Sequence, residues 1–246
     1  MTTELKEDIQ QTAINPAIEK YLKTGAHIGT RFKSGDMARY IYKQRKDGLK
    51  VLDVQVIDER VKVVGKFLAQ YSPSKIVVVS RRVYGKTPAE EFASSIGARS
   101  LTGRFVPGTF TNPEGKEFIQ PDVVIVTEPE SDLQAVKEAT IAKAVVIGLA
   151  STNNSLQFVD MIIPVNNKGR KSLALIYWLL AKEVLKNRNE LSSDESFGKT
   201  IEQFEYPIKE GEEEEGQDRK KRMGGRGRKG PYVSRYEAAA GIAPGQ

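Results

Sequence analysis

Short runs rich in Val and Ile alternate with longer amphipathic stretches through the first 190 positions of the chain. Such runs are typical of strands that are buried on both faces of a sheet, and here they span residues 76–79, 122–126, 144–147 and 161–163. Helical spacing of apolar residues or a capping signal marks four further stretches, which are residues 54–71, 87–96, 131–141 and 169–187.

Strands that alternate with helices of this length predict right-handed βαβ units, a parallel sheet and helices on both faces of the sheet. We therefore expect one doubly wound α/β domain, Rossmann- or flavodoxin-like, over residues 15–190. Two elements precede the first buried strand. Asn-Pro at 15–16 predicts a short helix to Lys23, and Asp-Gly at 47–48 predicts a hairpin between residues 40–42 and 49–52.

The charge is divided into blocks that the net charge of +6 conceals. Residues 1–189 carry 28 Lys and Arg against 20 Asp and Glu, residues 190–218 carry 2 against 11, and residues 219–246 carry 8 against 1. Blocks of like charge near a terminus are typical of unfolded interaction tails. The predicted parts are a mobile arm (1–14), the α/β domain (15–190), an acidic connector (191–218) and a basic Gly/Arg-rich tail (219–246).

Composition excludes several classes of protein. The chain has no Cys and one His, so it offers no disulfide scaffold, no thiolate metal site and few general bases. It has no run of 18 apolar residues and no secretion leader, from which we expect a cytoplasmic protein without membrane contact. A pI of 9.3 favours nucleic acid as the partner, and we expect neither a cofactor, a metal nor a small-molecule substrate.

The strongest candidate for nucleic-acid contact is residues 23–50, which hold eight Lys and Arg against two Asp. Cations bind phosphates, and a tyrosine between them can stack on an unpaired base. The alternative is a half-buried strand whose tyrosines face the core. His27 has no second His or Cys to act with, so packing or phosphate contact is expected of it. The candidate residues are Lys23, His27, Arg31, Lys33, Arg39, Tyr42, Lys43, Arg45 and Lys46.

The loop after the first buried run, residues 80–87, resembles the end of a phosphate-binding P-loop. The register fails, because Ser80 stands where the motif needs Gly and Pro88 stands where the helix must continue. A capping box at Thr87 predicts that the next helix begins there, so its N-terminus would attract the phosphates of a polynucleotide. A solvated basic loop is the alternative. The candidate residues are Arg81, Arg82 and Lys86.

The remaining loops and the tail offer less chemistry. The loop at 127–132 is acidic and heads a helix through a capping box at Ser131, while the loop at 151–155 is neutral. Together the three loops make no active site. Residues 224–230 form an RGG-like segment, in which glycine frees the backbone and arginine contacts phosphate; its candidate residues are Arg226, Arg228 and Lys229.

Seven short segments have an order and spacing that is specific as a set: residues 21–29, 40–42, 48–53, 110–112, 121–126, 144–153 and 162–167. The series is similar to the universal small-subunit ribosomal protein S2 family over residues 18–189. Bacterial members carry a long helical hairpin between the fourth and fifth segments, where this chain has only residues 113–120. The short form resembles the archaeal and eukaryotic branch, which includes the laminin-receptor precursor. The absence of a Trp-rich acidic tail favours an archaeal source.

The resemblance implies a structural, non-enzymatic constituent of the small ribosomal subunit. It further implies binding to small-subunit rRNA and to neighbouring ribosomal proteins near the mRNA exit region, with roles in subunit assembly and translation. Two other functions are compatible with the residues themselves. A P-loop-like enzyme would bind nucleotide through Lys86 and Thr87, and a free RNA chaperone would lose all RNA binding without residues 219–246.

Overall fold

A five-stranded parallel sheet and a two-stranded hairpin organise the computed structural model, which describes residues 16–191 and 197–207. The hairpin strands are β1 (Ile41–Gln44) and β2 (Lys50–Leu52). The sheet strands are β3 (Ile76–Ser80), β4 (Arg99–Thr102), β5 (Val123–Val126), β6 (Val145–Ala150) and β7 (Met161–Pro164). The helices are α1 (Pro16–Thr24), α2 (Val54–Leu68), α3 (Val83–Ile96), α4 (Leu133–Ile141) and α5 (Arg170–Asn187).

The strand order across the sheet is β4-β3-β5-β6-β7, with every neighbouring pair parallel. This is the flavodoxin-like order, and it confirms the predicted doubly wound α/β class. Every residue of β3 and of β5 is buried, which explains why their sequences are uninterrupted Val and Ile runs. The chain reverses its direction across the sheet between β3 and β5, so the topological switch point lies between these two strands.

Helices cover both faces of the sheet. On one face α2, α3 and α5 pack over residues such as Val78 and Ile125. On the other face α4 and the irregular segment 103–120 pack over residues such as Val77 and Val124. No described helix combines the length and the apolarity that crossing a membrane requires.

Two predicted helix starts are wrong. Helix α3 begins at Val83 rather than Thr87 and carries Pro88 in its second turn. The N-cap is Arg82, and the first turn contains Gly85, which lies so close to the side chains of Ser80 and Thr127 that no Cβ would fit. Helix α4 has Asp132 as its N-cap, and Ser131 instead donates its hydroxyl to Glu128.

Residues 197–206 pack against α3 and α5, although their charge placed them in the predicted acidic connector. Phe204 is completely buried, and the Trp178 indole N–H donates to the Lys199 carbonyl at 2.8 Å. An ion pair of 2.8 Å joins Arg170 of α5 to Glu205. The described part of this segment therefore belongs to the packed body, while the division of the chain at residue 190 stays a prediction.

Candidate nucleic-acid interface

Exposed cations of the N-terminal third are concentrated on one loop and one hairpin. We call this set, together with the two exposed aromatic residues among them, the basic surface. Its members, all exposed, are Arg31, Phe32, Lys33, Arg39, Tyr42, Lys43, Arg45 and Lys46. The sequence predicted every member except Phe32.

The loop at residues 29–36 runs alongside the hairpin. The Gly29 N–H donates to the Lys50 carbonyl at 2.9 Å, and the Lys50 N–H donates to the Thr30 carbonyl at 3.0 Å. Together with the isolated antiparallel bridge between Ile28 and Val51, these bonds pair the start of the loop with β2. The loop and the hairpin are therefore one structural unit.

The loop at residues 151–156 is the foundation on which this unit rests. The Thr30 N–H donates to Thr152 Oγ1 at 2.8 Å, and the Ser34 N–H donates to the Thr152 carbonyl at 2.9 Å. The Ser34 hydroxyl donates to the Asn154 carbonyl at 2.7 Å. A Cβ on Gly29 would lie 2.8 Å from Thr152 Oγ1, so only glycine allows the two loops to approach this closely. The neutral loop in which the sequence showed no chemistry thus holds the basic loop in place.

A buried amide network fixes the foundation in turn. Asn154 Oδ1 accepts the Ser151 N–H at 2.7 Å and the Asn167 side-chain amide at 2.9 Å. The same Asn167 amide donates to the Leu149 carbonyl of β6 at 2.9 Å. These hydrogen bonds connect the foundation to β6.

The two hairpin tyrosines have opposite environments. Tyr40 is 6% exposed and belongs to the core, whereas Tyr42 is 68% exposed. Both interpretations of the sequence therefore apply, one to each ring. A cation lies over each ring, with Arg39 5.0 Å from the centroid of Tyr40 and Lys43 5.6 Å from that of Tyr42.

Lys23 and His27, also predicted as RNA contacts, are less suited to that role. Lys23 is exposed but pairs with Glu19 one turn earlier at 2.8 Å. His27 is half-buried, and its Nδ1 lies 3.4 Å from the Tyr21 carbonyl. Burial lowers the pKa of His27 below its usual 6.5, so the ring is largely neutral at pH 7. Contact of these two residues with RNA stays a prediction.

Of the three candidate cations in and after the loop that follows β3, one is paired with a carboxylate and two are exposed. Arg82 forms an ion pair of 2.6 Å with Glu128, whose side chain is 4% exposed. The Arg81 N–H donates to Asp132 Oδ1 at 3.0 Å, and burial raises the pKa of Asp132 to about 6. The side chains of Arg81 and Lys86 are exposed. Arg82 therefore faces the acidic loop after β5, whereas Arg81 and Lys86 remain available to a phosphate.

The switch point is consequently filled by the protein itself. Doubly wound sheets bind ligands in the crevice between the loops at this point. Here the Arg82–Glu128 pair bridges the two loops, Gly85 lies against Ser80, and Thr127 Oγ1 hydrogen-bonds Tyr177 Oη at 2.8 Å. Over residues 16–191 and 197–207, no His, Asp and Glu side chains are grouped so that they could hold a metal ion.

One exposed residue of the basic surface was not predicted from the sequence, and some predicted residues lie outside the part of the chain that the structure describes. Phe32 was missed, although its place between Arg31 and Lys33 is a signal for an aromatic residue on a basic surface. Arg226, Arg228 and Lys229 lie outside the described residues, as does the predicted arm at 1–14.

Two relatives among the known proteins match more than three quarters of the chain. Residues 115–187 match the family model described as Ribosomal protein S2. Small ribosomal subunit protein uS2 of Staphylothermus marinus is 48% identical over 192 residues, which are 78% of this chain and 87% of that protein. The protein of the same name from Thermoplasma acidophilum is 50% identical over 190 residues, 77% of this chain and 96% of that protein. Both relatives are of the archaeal type. Since this similarity extends over most of both relatives, the chain belongs to the ribosomal protein S2 (uS2) family of the small ribosomal subunit.

Proposed function

We propose that this protein is a structural, non-enzymatic constituent of the small ribosomal subunit that binds rRNA through the basic surface. The observation that carries the proposal is the set of exposed cations on a loop and hairpin that are fixed to the body. Within the described residues, the only ion pair that these cations form is the one between Arg45 and Asp47, at 3.8 Å.

Binding of a polyanion explains this set of exposed cations better than a contribution to the stability of the fold does. Like charges held together on one surface repel each other and destabilise the compact state. Exposed cations without carboxylate partners add little to stability. Neutralising the phosphates of RNA instead releases counterions, which is the dominant favourable contribution of such cations to binding.

The filled switch point supports the non-enzymatic part of the proposal. A nucleotide-binding enzyme of this fold would need an open crevice between the loops after β3 and β5, where Arg82 and Glu128 are paired. Lys86 and Thr87, which the enzyme hypothesis invoked, lie within α3 instead of preceding it.

The other parts of the proposal rest on family membership. They are contact with neighbouring ribosomal proteins, a position near the mRNA exit region, a part in subunit assembly and translation, and a cytoplasmic, ribosome-bound location. Sedimentation of the protein with small subunits from growing cells supports them, and recovery only in the free cytosolic fraction contradicts them.

The RNA-binding part is tested by the salt dependence of affinity for small-subunit rRNA. The hairpin variant Lys43→Gln/Arg45→Gln/Lys46→Gln is compared with a control of equal charge, Lys66→Gln/Lys137→Gln/Lys186→Gln, whose three lysines are exposed on α2, α4 and α5. Each lost phosphate contact lowers the slope of log K against log salt by about 0.7–0.9. We expect a lower slope and weaker binding for the hairpin variant only. Equal slopes for the two variants contradict the proposal.

A further inference from the structure

Two aromatic rings on the basic surface are not explained by charge. Phe32 is 78% exposed, the highest value among the described large apolar side chains, and Tyr42 is 68% exposed. Lys and Arg alone would bind the phosphates of any RNA, so exposed rings among them need a partner with flat apolar faces.

The exposure of Phe32 is built into the fold. The chain is fixed to the foundation two residues before Phe32, by the bond from the Thr30 N–H to Thr152, and two residues after it, by both bonds of Ser34. The Thr30 hydroxyl also donates to the Phe32 carbonyl at 2.9 Å. The backbone that carries the exposed ring is therefore fixed, and little backbone entropy remains to be lost on binding.

The exposure of Tyr42 results from a β-bulge. Ile41 pairs with Leu52 and Lys43 pairs with Val51, so β1 advances two residues where β2 advances one. Tyr42 is the extra residue, and a bulge redirects the side chain it carries. As a result Tyr42, Lys43 and Gln44 are all exposed, where a regular strand would turn every second one inward.

We propose that Phe32 and Tyr42 are stacking sites for unpaired bases, so that the RNA on the basic surface is single-stranded. The inference deepens the proposed rRNA binding and rests on it. An A-form duplex keeps its base faces stacked and presents sugars and phosphates, whereas a splayed single strand offers a free face to each ring. Lys43 lies over one face of the Tyr42 ring, 5.6 Å from its centroid, so the base would stack on the other face with this cation close to its phosphate.

The test uses the full-length protein with two probes, a single-stranded oligoadenylate and an RNA duplex with the same number of phosphates. Phe32→Ala and Tyr42→Ala are each expected to weaken oligoadenylate binding by roughly 5- to 150-fold, because stacking on an aromatic residue contributes that much per base. Duplex affinity and the salt slope should stay unchanged, since no phosphate contact is lost. Ile141→Ala, at a side chain that is 70% exposed at the end of α4, is the matched control.

A variant with an added fluorescence signal distinguishes loss of base stacking from misfolding of the alanine variants. Phe32→Trp keeps an aromatic face, and the wild type has a single Trp, Trp178, so the added fluorescence reports on position 32. We expect oligoadenylate to quench this fluorescence and to bind with wild-type affinity. Absence of quenching overturns the inference.

The remaining outcomes separate the two proposals. Unchanged oligoadenylate affinity in Phe32→Ala and Tyr42→Ala, or an equal loss on the duplex, overturns base stacking and leaves a protein partner as the occupant of these rings. In that case the hairpin cation variant still lowers the salt slope. An unchanged salt slope in the cation variant overturns rRNA binding itself.

Discussion

Arg82 and Glu128 fill the crevice that doubly wound sheets usually leave to a ligand. The Glu128 carboxylate accepts both Arg82 Nε at 2.8 Å and the Ser131 hydroxyl, so its charge is compensated inside the protein. Burying a carboxylate is costly without such partners. Two residues that the sequence assigned to a basic and an acidic loop are thus one structural pair.

Replacing Arg82 with Gln is expected to lower the free energy of unfolding by about 3 kcal/mol, because Glu128 then stays buried without a cation. Urea denaturation measures the change. Arg81→Gln is the control, since that side chain is exposed and its replacement should change stability by less than about 0.5 kcal/mol. If Arg82→Gln leaves stability intact and weakens rRNA binding, Arg82 is a phosphate ligand as its position after β3 suggested.

Among the strands and helices, the sequence predicted those elements whose structure is determined by their own residues. The Val and Ile runs predicted β3, β5, β6 and β7, because strands buried on both faces can carry little else. The Asp-Gly pair predicted the hairpin, whose turn places Gly48 at φ +86°. The capping box at Thr87 did not mark the start of α3, which begins four residues earlier, at Val83.

The same limit applies to the candidate site. The cations could be read directly from residues 23–50, whereas the foundation could not, since Thr30 and Thr152 are 122 positions apart. The β-bulge at Tyr42 depends on register with β2, and the sequence of β1 does not reveal it. The net charge of residues 190–218 also gave no indication of the apolar residues through which residues 197–206 pack against the body.

One of these apolar residues, Phe204, is completely buried. Phe204→Ala is therefore expected to lower the free energy of unfolding by about 3–5 kcal/mol through loss of buried contacts and formation of a cavity. Chemical denaturation of the full-length protein provides the measurement. Gln203→Ala, exposed in the same 3-10 turn, should have little effect. A stability of Phe204→Ala equal to that of the wild type would mean that this segment does not support the body.

For the whole molecule, the cations are distributed between a folded surface and a terminal block. Residues 1–189 have a net charge of +8 and residues 219–246 a net charge of +7, separated by an acidic stretch of −9. Simple electrostatic attraction would make the two basic regions equivalent. The cations of the basic surface lie on a loop and a hairpin that are fixed to the body, so the specific rRNA contact that we propose is assigned to them.

A variant that lacks residues 219–246 is accordingly expected to sediment with small subunits and to bind rRNA with a smaller salt slope than the full-length chain, because fewer phosphates are neutralised. Combining this deletion with the hairpin variant should weaken binding more than either change alone. Loss of all rRNA binding on deletion of the tail alone would instead favour the RNA chaperone hypothesis.

The foundation at residues 151–156 has a consequence for synthesis of the chain. The cations at 31–46 leave the ribosome more than a hundred residues before Thr152 and Asn154, and the amide that fixes Asn154 belongs to Asn167. A nascent chain that ends before Asn167 therefore carries the charge of the basic surface without its shape. The specific RNA contact that we propose therefore requires β6, β7 and Asn167, and a chain can make it only late in translation.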